Sequence, residues 1–98
     1  MNLTKYFHDF KSKRILIVGD AIIDTYLWGE IHRMSPEAPV PVVDVAVNQN
    51  DSRLGGAANV ALNWKELGAE SILCTVIGND NRGIIFEKLM QEQGLSLE

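Results

Sequence analysis

The chain has 98 residues, 46% hydrophobic and 22% charged, a composition that fits a folded globular chain of one domain at most and excludes a disordered or fibrous one. Its net charge of −4 leaves no basic footprint, so no nucleic acid and no membrane is expected as a partner. No apolar run approaches the roughly 18 residues of a membrane span and the first residues lack a signal-peptide core, which makes the cytoplasm the expected compartment.

Leu3, Tyr6, Phe7 and Phe10 recur at helical spacing, with Asn2 or Thr4 available as N-cap, and predict a short docking helix over 3–10 with His8 on its polar side. Ile15, Leu16, Ile17 and Val18 then form an unbroken apolar run ending at Gly19, the pattern of a parallel strand covered on both faces. From Asp24 to Val47 the residues are aromatic and β-branched, interrupted by Pro36, Pro39 and Pro41. Proline donates nothing to a ladder, so this stretch reads as edge strands of a small β-flap outside the main sheet.

Residues 48–52 are polar and read as a hairpin turn. Val60, Trp64 and Leu67 stand at i, i+4 and i+7, predicting a helix over 57–67 that Gly68 closes. A second buried strand is expected over 71–77, carrying the single cysteine, Cys74, as a buried thiol that has no disulfide partner. Gly78 to Asn81 supply turn and N-cap chemistry for a helix bearing Ile85, Phe86, Leu89 and Met90, closed by Gly94. Strand, flap, helix, strand and helix in this order imply a right-handed crossover between parallel strands, hence an α/β sheet. Two core strands would leave apolar faces and edges uncovered, and residues 94–98 read as the approach to a third strand, so the chain is expected to be part of a larger fold.

Two groups of residues could carry chemistry. Asp20 and Asp24 follow the carboxyl end of the first strand, where open α/β sheets bind ligands. Carboxylates accept hydrogen bonds, so a pair facing a crevice suits a ligand rich in hydroxyl donors; a turn cap at Asp20 and a solvated Asp24 are the alternative. Gly55 and Gly56 lead directly into the helix bearing Asn59. Glycines permit close backbone approach, the helix start presents N–H groups, and an amide can both donate and accept; a plain hinge is the alternative.

A dinucleotide fold would place G-x-G-x-x-G immediately after the first strand, whereas these glycines come after the flap, and no G-x-x-x-x-G-K-[ST] run is present. His32 reads as a surface residue, since no second histidine or cysteine stands at metal-ligand spacing, and no metal site is expected.

Together these elements resemble the ribokinase-like (PfkB-type) carbohydrate kinases, over nearly the whole chain. The resemblance implies the N-terminal part of a parallel-sheet sandwich with a β-flap lid, here at about residues 24–54 and inserted after the first core strand of a kinase domain that takes in 1–98. It implies substrate-binding roles for Asp20, Asp24, Gly55, Gly56 and Asn59. The ribokinase pattern puts the asparagine five residues after the first glycine and here Asn59 stands four after Gly55, so Asn59 is the firmer anchor.

The run Ser35-Pro36-Glu37-Ala38-Pro39-Val40-Pro41, between Val18-Gly19-Asp20 and Gly55-Gly56-Ala57-Ala58-Asn59, is similar to that of bacterial kinases phosphorylating heptose 7-phosphate at its anomeric carbon on the route to ADP-heptose. That branch implies a sugar phosphate substrate, with Arg33 or Arg53 as receiver of its phosphate, and ATP with magnesium (Mg2+), bound mainly outside these residues. The family's catalytic base lies near the start of a later helix, so no catalytic residue is expected within this chain. Tyr26 and Trp28 would face the sugar or a lid–lid contact in a homodimer.

Overall fold

The computed structural model describes residues 2–96, apart from the side chains of 47–50. Its elements in chain order are α1 (Thr4–Phe10), β1 (Arg14–Val18), β2 (Ala21–Met34), β3 (Pro41–Gly56), α2 (Ala57–Glu66), β4 (Glu70–Cys74) and α3 (Asn81–Glu92). They divide into two compact units, Met1–Ile23 with Leu54–Glu98, and Asp24–Arg53.

In the first unit β1 and β4 pair in parallel, from Arg14 opposite Glu70 to Val18 opposite Cys74, which bears out the α/β class. A parallel pair needs a long connection, and α2, which lies within it, packs against both strands. The buried cluster joins Leu54, Ala58, Ala61, Phe86, Met90 and Leu95, with Ile17, Leu73, Ala21, Ile23, Leu62 and Leu89 against it.

Which face of α2 turns inward differs from the expectation. Ala58 and Ala61 are fully buried, whereas Val60 and Leu67 are 43% and 41% exposed. Alanine side chains let the helix lie close to the sheet, so the small residues occupy the seam while Trp64, half-buried, meets the ring of Phe10 edge-on at 5.8 Å. Ser71 reinforces the seam by donating its hydroxyl to the Ala61 carbonyl at 2.7 Å.

The helix ends follow the local chemistry. Gly68 at φ 102° and Gly94 at φ 69° stand just past α2 and α3. In each case the glycine N–H and the next N–H donate back to the last turn: Gly68 to Lys65 and Ala69 to Trp64, then Gly94 to Gln91 and Leu95 to Met90. This double closure needs a residue at positive φ. Asp80 caps α3, its carboxylate accepting from the Gly83 N–H at 2.9 Å. At the start of α1 the Asn2 side chain accepts from the Thr4 N–H at 3.0 Å.

Three further expectations are corrected. The second strand ends at Cys74 rather than at residue 77, because β1 ends at Val18 and leaves the later residues without a ladder partner. Beyond that point the Thr75 hydroxyl accepts the Ala21 N–H at 3.1 Å. Cys74 is exposed rather than buried, because it pairs with Val18 on the face that α2 and α3 do not cover. On that face Leu16 and Val18 are 62% and 71% exposed, so β1 is covered on one side where the unbroken apolar run predicts cover on both.

The second unit is a two-stranded ribbon of β2 and β3. Neighbouring strands joined by so short a connection must run antiparallel. The chain reverses at residues 35–40, where the Ser35 N–H donates to the Val40 carbonyl at 2.8 Å. Residues 48–52, expected as the turn, lie inside β3 instead. Pro36 and Pro39 lack the N–H a ladder requires, so the break falls on them, and Pro41 heads the returning strand, where a missing donor does least harm.

The inward face of α2 is open to test by unfolding the chain in urea. Ala61→Leu is expected to overpack the seam and lower stability by about 1–3 kcal/mol. Val60→Ala, on the outward face, should stay within about 0.5 kcal/mol. The reverse order would return Val60 to the core.

Candidate functional site

The carboxyl end of β1 and the start of α2 are joined through one residue, Gly56. Its φ of 57° and ψ of −135° lie in a region that residues with a Cβ rarely enter. An added Cβ would also run into the Asp20 carbonyl oxygen and approach the Ile22 side chain to 3.0 Å. With no Cβ there, the chain turns sharply enough for the Ala57 N–H to donate to the Asp20 carbonyl at 2.8 Å. Gly55 is buried behind it.

This bond brings Asp20 to the first turn of α2. No side chain caps that helix, and Asn59 in its first turn is exposed, as is Asp20. The arrangement therefore sets Asp20 against the first turn of α2, the turn that carries Asn59, past the carboxyl end of a parallel pair. Such a set can donate to and accept from neighbouring hydroxyls. A cleft of about 220 Å³ beyond the ends of β1 and β4 is lined by Ala21, Ile23, Ile77, Gly78, Arg82 and Phe86, among others.

Asp24 opens the second unit and is exposed. Arg53 closes it, donating from Nε and Nη2 to one Asp51 carboxylate oxygen at 3.0 and 2.8 Å. Its guanidinium also lies over the Tyr26 ring, 4.9 Å from the centroid. Arg33 is exposed, and His32 pairs with Glu30 at 3.0 Å, in keeping with a surface position.

Sequence reasoning passed over Thr75 and Asp51. Nothing local marks Thr75, whose partner is fifty-four residues away. Asp51 could have been found, since residues i and i+2 of a strand share a face and Asp51-x-Arg53 is such a pair. Among the described residues no group of three or more His, Cys, Asp or Glu could hold a metal ion. None of the described helices is long and apolar enough to cross a membrane.

Residues 12–98 match the pfkB family of carbohydrate kinases, and the chain belongs to that family. It is 47% identical over 93 residues to the bifunctional protein HldE of Citrifermentans bemidjiense, covering 95% of this chain and 19% of the relative. A D-beta-D-heptose 7-phosphate kinase from Bordetella bronchiseptica is 51% identical over 82 residues, covering 84% of this chain and 26% of that protein. The HldE of Helicobacter pylori is 48% identical over 83 residues, 85% of this chain and 18% of the relative. The chain thus spans about a fifth of the length of the HldE relatives it matches.

Gly56→Ala is expected to cost the chain about 1–3 kcal/mol or more, since it adds steric conflict to an unfavourable backbone conformation. Gly19→Ala meets only the Ala57 side chain, at 3.3 Å, and should cost less. Chemical denaturation of the two variants beside the parent chain compares them; equal midpoints would remove Gly56 from its role as the joint.

Proposed function

We propose that this chain forms the acceptor-binding side and the lid of an ATP-dependent sugar kinase whose acceptor is heptose 7-phosphate, phosphorylated at its anomeric carbon toward ADP-heptose and lipopolysaccharide. The observation that carries the reading is the joint at Gly56, which ties the Asp20 backbone to the start of the helix bearing Asn59, past the end of a parallel strand in a chain of the pfkB family. The choice of acceptor is supported by the 51% identity to a protein named for heptose 7-phosphate.

In this reading the carboxylates of Asp20 and Asp24 accept hydrogen bonds from sugar hydroxyls, and the Asn59 amide both donates and accepts. The backbone at Gly55 and Gly56 approaches the sugar closely because no side chain intervenes. The flap is the lid, at about residues 24–54, and Arg33 or Arg53 receives the phosphate the acceptor already carries. ATP with magnesium supplies the transferred phosphoryl group, and the carboxylate base lies outside these residues. What this chain contributes is position: it holds the accepting hydroxyl still and excludes water from it.

The whole enzyme is read as cytoplasmic. Its expected association is a homodimer through the lid, for which Leu27 and Ile31 offer exposed apolar surface.

An acceptor panel in a kinase of full family length carrying these residues tests the reading. Heptose 7-phosphate should outperform fructose, ribose and adenosine, and preference for one of those would overturn the choice of acceptor. In the same enzyme Asp24→Asn removes a charge-assisted hydrogen bond worth about 1.5–3 kcal/mol and should raise the acceptor KM by about 10–150-fold, leaving that for ATP in place. Unchanged acceptor kinetics would take Asp24 out of the site.

A further inference from the structure

The ribbon of residues 24–53 sorts its charged groups onto two faces. Near its open end the hydroxyls of Thr25 and Ser52 lie 3.4 Å apart, so these two residues share one face. Alternation puts their neighbours on the other, where the Tyr26 ring lies beneath the Arg53 guanidinium. Asp51, two residues before Arg53, reaches that guanidinium from the same side. Asp24, two residues before Tyr26, belongs to this face by the same alternation.

Further along the ribbon the pairing shifts, since Gly29 stands against Val43 and Asp44 whereas Thr25 meets Ser52. Glu30 and His32 pair at 3.0 Å, and both line a groove of about 430 Å³ with Trp28. Arg33 lies nine residues beyond Asp24 along β2, about 30 Å of extended strand, toward the reversal at 35–40. Of the two arginines that could receive an anionic group, Arg53 is the one at the open end of the ribbon, on the Asp24 face.

Arg53 is also held. A free arginine side chain must give up rotamer freedom when it grips a ligand. Here the aromatic ring supports the guanidinium plane, while Nε and one Nη2 proton point at Asp51, leaving the remaining N–H groups of the fork for a second anion. We infer that Tyr26 and Asp51 are positioning residues that preset the Arg53 guanidinium on the Asp24 face, and that Arg53, not Arg33, receives the phosphate of a phosphorylated acceptor. The inference rests on the proposed use of a sugar phosphate and goes beyond it by choosing the receiver and its supports.

The test uses the full-length kinase with two acceptors, heptose 7-phosphate and the same heptose without its phosphate. Arg53→Gln should raise the KM for the phosphorylated acceptor about 10–100-fold, the loss of a charge-assisted hydrogen bond, and leave kinetics with the unphosphorylated one within about twofold. Tyr26→Leu should raise the same KM about 3–5-fold, and Tyr26→Phe, which keeps the ring, should restore it to within about twofold. Activity on the unphosphorylated acceptor shows that each variant is folded, a readout that a purely structural role of Tyr26 would lower equally. If the wild-type enzyme shows no preference for the phosphorylated acceptor, the proposed substrate falls. If it does, and Arg33→Gln rather than Arg53→Gln abolishes the preference, this inference alone falls; a Tyr26→Leu effect equal for both acceptors overturns the positioning role.

Discussion

The hydrogen bond from the Ala57 N–H to the Asp20 carbonyl, made possible by Gly56 at positive φ, ties the chain just past β1 to the junction of β3 and α2, which is distant from it in sequence. With it, α2 begins at a set position and lies along β1 and β4 with its alanines inward. The conformational freedom of glycine is usually a cost in folding; here it is the condition for a turn that a side chain would block.

Close packing follows from that joint. Ala58 and Ala61 pack toward the sheet side chains Ile17 and Leu73, and the larger side chains of Phe86, Met90 and Leu95 complete the cluster. The same choice leaves the larger residues of α2 at the margins. The opposite face of β1 keeps Leu16 and Val18 exposed. The relatives that this chain matches run several times longer than it does.

The flap is stabilised differently, because a two-stranded ribbon has no buried interior. Its order comes from the reversal at 35–40, from cross-strand pairs such as Thr25 with Ser52, and from stacking of Arg53 on Tyr26. Gly29 contributes by lacking a side chain where the Asp44 backbone passes close by. Exposed aromatic and charged residues, which would be costly in a core, are thereby available on this ribbon for an external partner or ligand.

What the sequence determined by itself is what depends on a few neighbouring residues. Gly68 and Gly94 end their helices and Asp80 starts one, because caps are made of side chains and backbone groups within one turn. Asp20, Gly55, Gly56 and Asn59 stood out for the same reason, since a strand end and a glycine pair before a helix are local patterns. The tertiary structure decided what depends on distant neighbours. It turned Ala58 and Ala61 inward rather than Val60 and Leu67, ended β4 where β1 offered no further partner, and left Cys74 exposed on an uncovered face. It moved the flap reversal to the prolines and set Arg53 beside Tyr26 and Asp51. Burial and strand facing are settled by what packs alongside, and periodicity within one segment carries no record of that.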